Sequence, residues 1–425
     1  MNVRHDPDRA ARPLAAVLLE AATSRLAFGL VSFALPLYAH HLGMSLAAIG
    51  LLLSTNAAVA VVLKPVMGAL IDRVGVRRAH VVAVLLRTVV LVALVVATSP
   101  VHLFLARSLH GVSIAMRDPA SATVLAALGG KQAVARRFAW FQTVKSVTSS
   151  GGQFLSGIVL TLATGDHRVV FAIAAVLSGL PLLVVLVGLR GALVDGLRLP
   201  QPARRTPMPR DLRRVLLPYA GLGAMMTGTA YLMSNLLPVL AVEHMGLAPA
   251  AASSLYLVKT VVGFTGPVWG WLSDRVGVRL VLGVRGLGNA LSSIVWLLFP
   301  SLAGLMVGRA LDDVGKAAFA PAWGATMAEV ADLDPARRAR TLAWLGSAEN
   351  AGEMAGPVVA GAVWATFGLP ALLVLRAALA VATELYALAL ARRAARRPSA
   401  PVGVSGSGEV GPAARLVAPT AVVDR

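Results

Sequence analysis

Apolar positions in this chain fall into long runs, broken at short intervals by glycine, proline or charge. A helix needs about 20 predominantly apolar residues to cross a hydrocarbon core. Twelve runs meet that need and predict helices at 13–38, 47–71, 78–98, 101–127, 139–163, 168–189, 213–240, 249–272, 279–299, 301–329, 340–366 and 369–391. The segments between them alternate in charge. Residues 39–45, 98–102, 243–249 and 367–370 contain no lysine or arginine. By contrast, Arg73, Arg77 and Arg78 follow the second run, Lys131, Arg136 and Arg137 the fourth, Arg275 and Arg279 the eighth, and Arg337, Arg338 and Arg340 the tenth. The positive-inside rule then places both termini and the connection from the sixth run to the seventh in the cytoplasm, with the chain spanning the cytoplasmic (inner) membrane many times. The loop 164–168, with Arg168, interrupts the alternation. Glu20 and Arg25 fall inside the first run, unlike the uninterrupted core of a signal peptide, so this run is read as a retained span.

Polar stretches divide the chain further. Residues 190–212 carry Pro200, Pro202, Pro207 and Pro209 and read as a linker between halves. The expected organisation is a short cytoplasmic segment (1–12), a first six-helix bundle (13–189), the linker, a second bundle (213–391) and a disordered cytoplasmic tail (392–425). The basic opening of that tail suits anionic lipid headgroups.

Composition narrows the function classes. With 57% hydrophobic and 14% charged residues and a mean hydropathy of +0.74, the chain is built for a bilayer. Its net charge of +19 is carried largely by loops, and with 5% aromatic residues it does not read as a nucleic-acid surface. There is no cysteine, which excludes disulfides and thiolate-bound metal. The eight histidines show no metal spacing, and no phosphate-binding loop is written anywhere, so neither a metal, a cofactor nor a nucleotide-driven pump is expected. Neither a nucleophile with its base nor a cluster of metal ligands points to a membrane enzyme.

The two halves repeat. At an offset of 202 residues Pro65 pairs with Pro267, Gly68 with Gly270, Asp72 with Asp274, Gly75 with Gly277, Arg77 with Arg279, Arg107 with Arg309 and Pro119 with Pro321. Matches spread over more than 50 residues imply two copies of one six-helix unit, an architecture of transporters. The copies "GALIDRVGVRR" and "GWLSDRVGVRL" resemble the Gly-x-Leu-x-Asp-Arg-x-Gly-x-Arg signature of the major facilitator superfamily of secondary transporters. The resemblance spans about residues 12 to 391 and implies an all-α membrane protein of twelve helices in two pseudo-repeats. It also implies that Gly68, Asp72, Arg73, Gly75 and Arg77, with Gly270, Asp274, Arg275, Gly277 and Arg279, form turns that latch the two halves on the cytoplasmic side.

Charges inside spans cost about 2.5–3.5 kcal/mol each on insertion scales and normally face a cavity or a partner. In the family, helices 1, 4, 7 and 10 line the central cavity. On those helices stand Glu20, Arg25, Arg107, Arg117, Asp118, Arg309, Asp312, Asp313 and Lys316, a mix of both signs that suits an amphiphilic solute of either charge. Tyr219, Met225, Met226, Tyr231 and Asn235 on helix 7 add to the expected lining. Asp312 and Asp313 lie within one turn of Lys316, so part of this cluster neutralises itself. Arg107 and Gly111 resemble the family's Arg-x-x-x-Gly motif, whose arginine is associated with coupling. His110, one turn from Arg107, is a further cavity candidate. Arg87, Arg285, Arg376 and Glu384, on helices peripheral in the family, are expected to snorkel or brace.

The eleventh run holds Glu349 and Glu353, one turn apart on one face, where desolvation and repulsion oppose two charges. The pair is a candidate proton carrier. Lys145, at the related place of helix 5, is the alternative, a lysine that bridges to one of the carboxylates. "GEMAGPVVAG" (352–361) and "SSGGQFLSG" (149–157) are small-residue stretches, read as close packing. The first is similar to a motif that drug/proton antiporters of the family carry on helix 5, where this chain lacks the proline. The expected function is therefore alternating-access transport of a small organic solute by a monomer in the lipid bilayer, as proton-coupled efflux. The alternatives are a non-transporting sensor or an importer of organic anions.

Overall fold

The computed structural model describes residues 7–127, 134–190, 210–276, 278–334 and 338–395. These residues are helical apart from turns and short connections, and no strand occurs among them. A chain this apolar must satisfy its backbone groups within each segment, and helices do so.

The first half contains α1 (Pro7–His41), α2 (Leu46–Val74), α3 (Val76–Val95), α4 (Pro100–Ala127), α5 (Val134–Leu162) and α6, which runs as His167–Leu177 and Gly179–Gly188. In the second half, α7 (Arg210–Ser234) continues through Leu237–Val239 into a π-helical turn, Leu240–His244. Next come α8 in three pieces (Pro249–Ser253, Leu255–Gly263, Gly266–Val276), α9 (Val278–Leu298) and α10 (Leu302–Asp332). The helix Arg338–Ala395 is two spans, α11 (338–367) and α12 (369–395), parted at Gly368 with φ 84°. Several starts are capped: Ser45 accepts from the N–H of Ala48 at 3.2 Å, Ser301 from Gly304 at 3.1 Å and Asp166 from Arg168 at 2.9 Å. α1 starts before the predicted residue 13 and α12 ends beyond 391, because Pro7 suits a first helical turn and "RRAA" favours helix. Six stretches among the described residues are long and apolar enough to cross a membrane on composition alone. The spans outside those stretches are α4, α5, α8, α9 and α10, which are interrupted or carry interior charge.

The two halves repeat in packing as well as in sequence. α1 packs on α5, α2 and α3 on α4, and α3 on α6; likewise α7 packs on α11, α8 and α9 on α10, and α9 on α12. The halves meet through α2 on α11 and α5 on α8, with α1 touching the continuation of α7. These contacts sit at one end. There Phe33, Leu37, Ile49 and Leu53 of the first half join Leu236, Leu240, Tyr256 and Trp364 of the second in one buried apolar cluster. The N–H of Ala250 donates to Thr161 Oγ1 at 2.9 Å, and His40 lies 3.4 Å from Glu243. At the other end the apolar clusters stay within one half: Val17, Ile71, Val76 and Val124 in the first, Leu216, Leu222, Trp323 and Leu345 in the second. The joined end is the one whose loops 39–45, 98–102, 243–249 and 367–370 lack arginine and lysine.

Candidate functional site: a cationic cavity between the halves

In the first half, one ion pair is sealed behind the cavity. Glu20 of α1 accepts from Arg117 of α4 through both oxygens, at 2.9 and 2.7 Å, and His80 lies 3.5 Å away; all three are buried. Asp118 stands 3.6 Å from the same guanidinium. The cations of this half that line the cavity have no such partner among the described residues. Arg107 donates to the carbonyls of Leu52 at 3.3 Å and Leu53 at 2.6 Å, and to Asn56 Oδ1. Gly111, one turn along, makes this possible: a Cβ there would collide with Asn56 O and Val59, so only glycine lets α2 come close enough. Arg87 reaches in from α3, donating to Ser24 at 2.8 Å and lying 3.4 Å from His110 Nε2, with its guanidinium 4.5 Å over Phe28. Lys145 lies 4.9 Å over Phe141. Arg25, Lys64, Arg87, Arg107 and Lys145 make no ion pair among the described residues.

The second half is wired differently. Asp312 of α10 is held by Lys316 at 2.6 Å and by Arg376 of α12 at 2.6 Å, with Arg285 of α9 at 3.6 Å. Arg376 also donates to Ser292 at 2.7 Å and Ser293 at 2.9 Å. Arg309 donates to Asp313 at 2.6 Å, and Lys316 reaches across to Ser234 of α7 at 2.9 Å. Every one of these cations therefore has a carboxylate in contact, as a buried charge requires.

Between the halves lies a cavity of about 710 Å³. Nine cations line it: Arg25, Lys64, Arg87, Arg107 and Lys145 from the first half, Lys259, Arg285, Arg309 and Lys316 from the second. Among the described residues only two carboxylates do, Asp118 and Glu353. Phe28, Tyr231, Tyr256 and Phe319 supply aromatic surface, and Asn56, Gln142, Gln153 and Asn350 supply neutral polar groups.

This placement revises several expectations. The lining is cationic rather than mixed, because Glu20, Asp312 and Asp313 are turned away from the space and tied to arginine or lysine. Arg87 and Arg285 brace, Arg87 to Ser24 of α1 and Arg285 to Met226 of α7 and Asp312 of α10, but they are not peripheral: both are buried and border the cavity. Arg376 braces α12 to α9 and α10, as the hydrogen bonds above show. Glu353 borders the cavity near Tyr231 and Arg25, whereas Glu349 sits beside Trp323 and Gly223. Lys145 makes no bridge to either glutamate. Of the helix 7 candidates, Met226, Tyr231 and Asn235 line the space and Tyr219 belongs to an apolar cluster instead. Lys64 and Lys259 were missed; each is a single charge inside an apolar run, the same signal that singled out Arg25. In the small-residue stretches Gly352 and Gly356 pack on α7, Gly361 on α2, Gly152 on α1 and Gly157 on α8.

The repeated turn is described in part. Gly75 parts α2 from α3 with φ 90°, a left-handed conformation that favours glycine, and its N–H donates to Ile71 O at 2.8 Å. Arg73 is exposed, and Arg275 stacks 4.3 Å over Trp271. The side chains of Asp72, Asp274 and Arg279, together with Gly277, lie outside the described residues, as do Lys131, 191–209 and the chain beyond 395.

Comparison with known proteins agrees with this architecture. The sequence profile of the Major Facilitator Superfamily matches residues 17–266 and again 252–421. Over 93 residues, 22% of this chain and 18% of the relative's length, the chain is 37% identical to a triacylglyceride transporter of Mycobacteroides abscessus. Among solved structures it resembles a bacterial homolog of the human lysosomal transporter Spinster in an inward-facing, occupied conformation (TM-score 0.73, 16% identity, 89% of this chain and 96% of that one). It also resembles the nucleoside transporter NupG (TM-score 0.70, 14% identity, 89% and 98%) and the peptide transporter POT in complex with sulfate (TM-score 0.70, 16% identity, 91% and 94%). At these identities the structures share the fold alone. With the family profile matched across both repeats, the chain belongs to the major facilitator superfamily and is a multi-pass membrane transporter of a small-molecule solute rather than an enzyme.

Proposed function

We propose that this transporter moves an organic anion by alternating access, and that the conformation described above is the one open to the cytoplasm. The observation that carries the first part is the lining: nine cations face two carboxylates, and among the described residues six of the cations, the five of the first half and Lys259, have no ion pair. Buried uncompensated charge is costly, and a bound anion offsets that cost. The second part rests on the joined end, whose loops lack arginine and lysine and so belong outside the cell. On this reading the termini and the 190–212 linker are cytoplasmic, and residues 13–189 and 213–391 rock about the cavity. Cysteine at exposed His41 should react with an impermeant thiol reagent in intact cells, and cysteine at exposed Arg78 should not; the reverse pattern overturns the orientation.

Glu353 is the proposed proton carrier. It borders the cavity without an ion pair, and it lies near Arg25 of the opposite half, so its charge is coupled to whatever else occupies the space. The experiment is uptake into proteoliposomes of a panel of organic anions and cations, with and without a pH gradient. Anions should accumulate and cations should neither accumulate nor compete. Glu353→Gln should lose the gradient-driven component and keep exchange at equal pH. Cation uptake in place of anion uptake contradicts the charge assignment, and full pH-driven accumulation by Glu353→Gln removes this residue as the carrier. No turnover of any solute would favour the sensor.

A further inference from the structure

We infer that the first-half wall of the cavity, built around Arg25, Arg87, Arg107 and His110, holds a tetrahedral oxyanion of about two negative charges, such as the phosphate of an organic phosphate monoester. This rests on the anion reading above and locates the anionic end of the substrate. Three guanidiniums approach this wall from three different helices, α1, α3 and α4. A planar carboxylate accepts best from donors near its own plane, whereas a phosphate offers three strong acceptor oxygens to donors converging from several sides.

The wall is also short of acceptors. Nε of Arg25, Nε of Arg87 and Nδ1 of His110 are buried with no hydrogen-bond partner. Arg107 spends Nε and Nη2 on α2, and both acceptor carbonyls are neutral. Lys145 and Lys64 add two more cations without an ion pair among the described residues, while Asp118, the carboxylate of this half that lines the cavity, is already within 3.6 Å of Arg117. One ionised carboxylate leaves most of this excess standing. A dianion removes more of it at a single point.

The opposite wall has no comparable demand. Arg285, Arg309 and Lys316 meet Asp312 or Asp313 before they meet the cavity, so of the second half's four lining cations only Lys259 has no ion pair among the described residues, against five in the first half. Tyr256, Phe319 and Tyr231 stand there instead, a surface for the organic body of the same molecule. The substrate is thus oriented across the gap, anionic end to the first half and apolar body to the second.

The test uses the full-length protein in a neutral detergent, with melting followed by tryptophan fluorescence. Phenyl phosphate, benzenesulfonate and benzoate are titrated at equal ionic strength; they share a ring and differ in the charge and shape of the head. Phenyl phosphate should raise the melting temperature by about 5 °C near saturation, with the two monoanions well behind it. Arg87→Gln and Arg107→Gln should each weaken its apparent affinity about tenfold, and Lys316→Gln by no more than about twofold. Should either arginine variant fail to fold, Arg25→Gln and Lys145→Gln carry the same expectation. Equal shifts from all three ligands, no shift from any, or equal losses in Lys316→Gln and Arg107→Gln overturn the inference. If proteoliposomes transport organic anions while phenyl phosphate fails these criteria, only the inference falls; if no anion is transported, the anion reading falls first.

Discussion

α4 and α10 are the same helix of the repeat, and they treat charge in opposite ways. At the 202-residue offset Arg107 matches Arg309, but His110, Gly111 and Ile114 stand where α10 has Asp312, Asp313 and Lys316. Arg309 finds Asp313 one turn away at 2.6 Å. Arg107 finds glycine there, and through the gap that glycine opens it binds the α2 backbone instead. α10 therefore carries its own counter-charges, which a buried network needs to hold several helices in register. α4 leaves its arginine satisfied in hydrogen bonds yet not in charge. On the proposed reading the repeated fold divides labour: the second half neutralises all of its lining cations but Lys259 within itself, and the first keeps positive charge available for a ligand.

Stability measurements break this comparison most forcefully. Asp312→Asn leaves Arg285, Arg376 and Lys316 without their shared carboxylate and should lower stability by about 3–5 kcal/mol, the cost of breaking a buried pair, read as lost inserted protein or a large fall in melting temperature. Arg309→Gln should cost less, about 1–3 kcal/mol, since Lys316 remains 3.8 Å from Asp313. Lys145→Gln, which removes an unpaired cation, should change stability least, by under about 1 kcal/mol, and in the favourable direction. If Lys145→Gln destabilises as much as Asp312→Asn, the first half is not holding uncompensated charge.

Much of the architecture was legible because its signals are local. Twenty-residue apolar runs, arginine alternation between loops and the glycine that turns α2 into α3 each act within a few residues of themselves. The 202-residue repeat made the two-bundle organisation readable in the same way. The lining of the cavity was not legible, for two reasons. Which face a helix turns inward depends on partners far along the chain: Asp312 and Arg376 are 64 residues apart, and Glu20 and Arg117 are 97 apart. Until those pairs are known, Glu20, Asp312 and Asp313 count as cavity charge when they are wall. Arginine is also long enough to enter from a helix in the second layer, as Arg87 and Arg285 do, so the family position of α3 and α9 misled. Lys64 and Lys259 are a different case, since a lone lysine in an apolar span is visible in the sequence and was passed over.

The sharpest single test converts one half into the other. His110→Asp writes the second-half residue into the first half and gives Arg87, now 3.4 Å from the histidine ring, a carboxylate of its own. The variant should insert normally and melt at or above the temperature of the unmodified protein, while its KM for the anion found by proteoliposome uptake rises at least about tenfold, because the positive charge kept for the ligand is then consumed internally. An unchanged KM in a folded His110→Asp protein would contradict the claim that the first half holds its cations for the substrate.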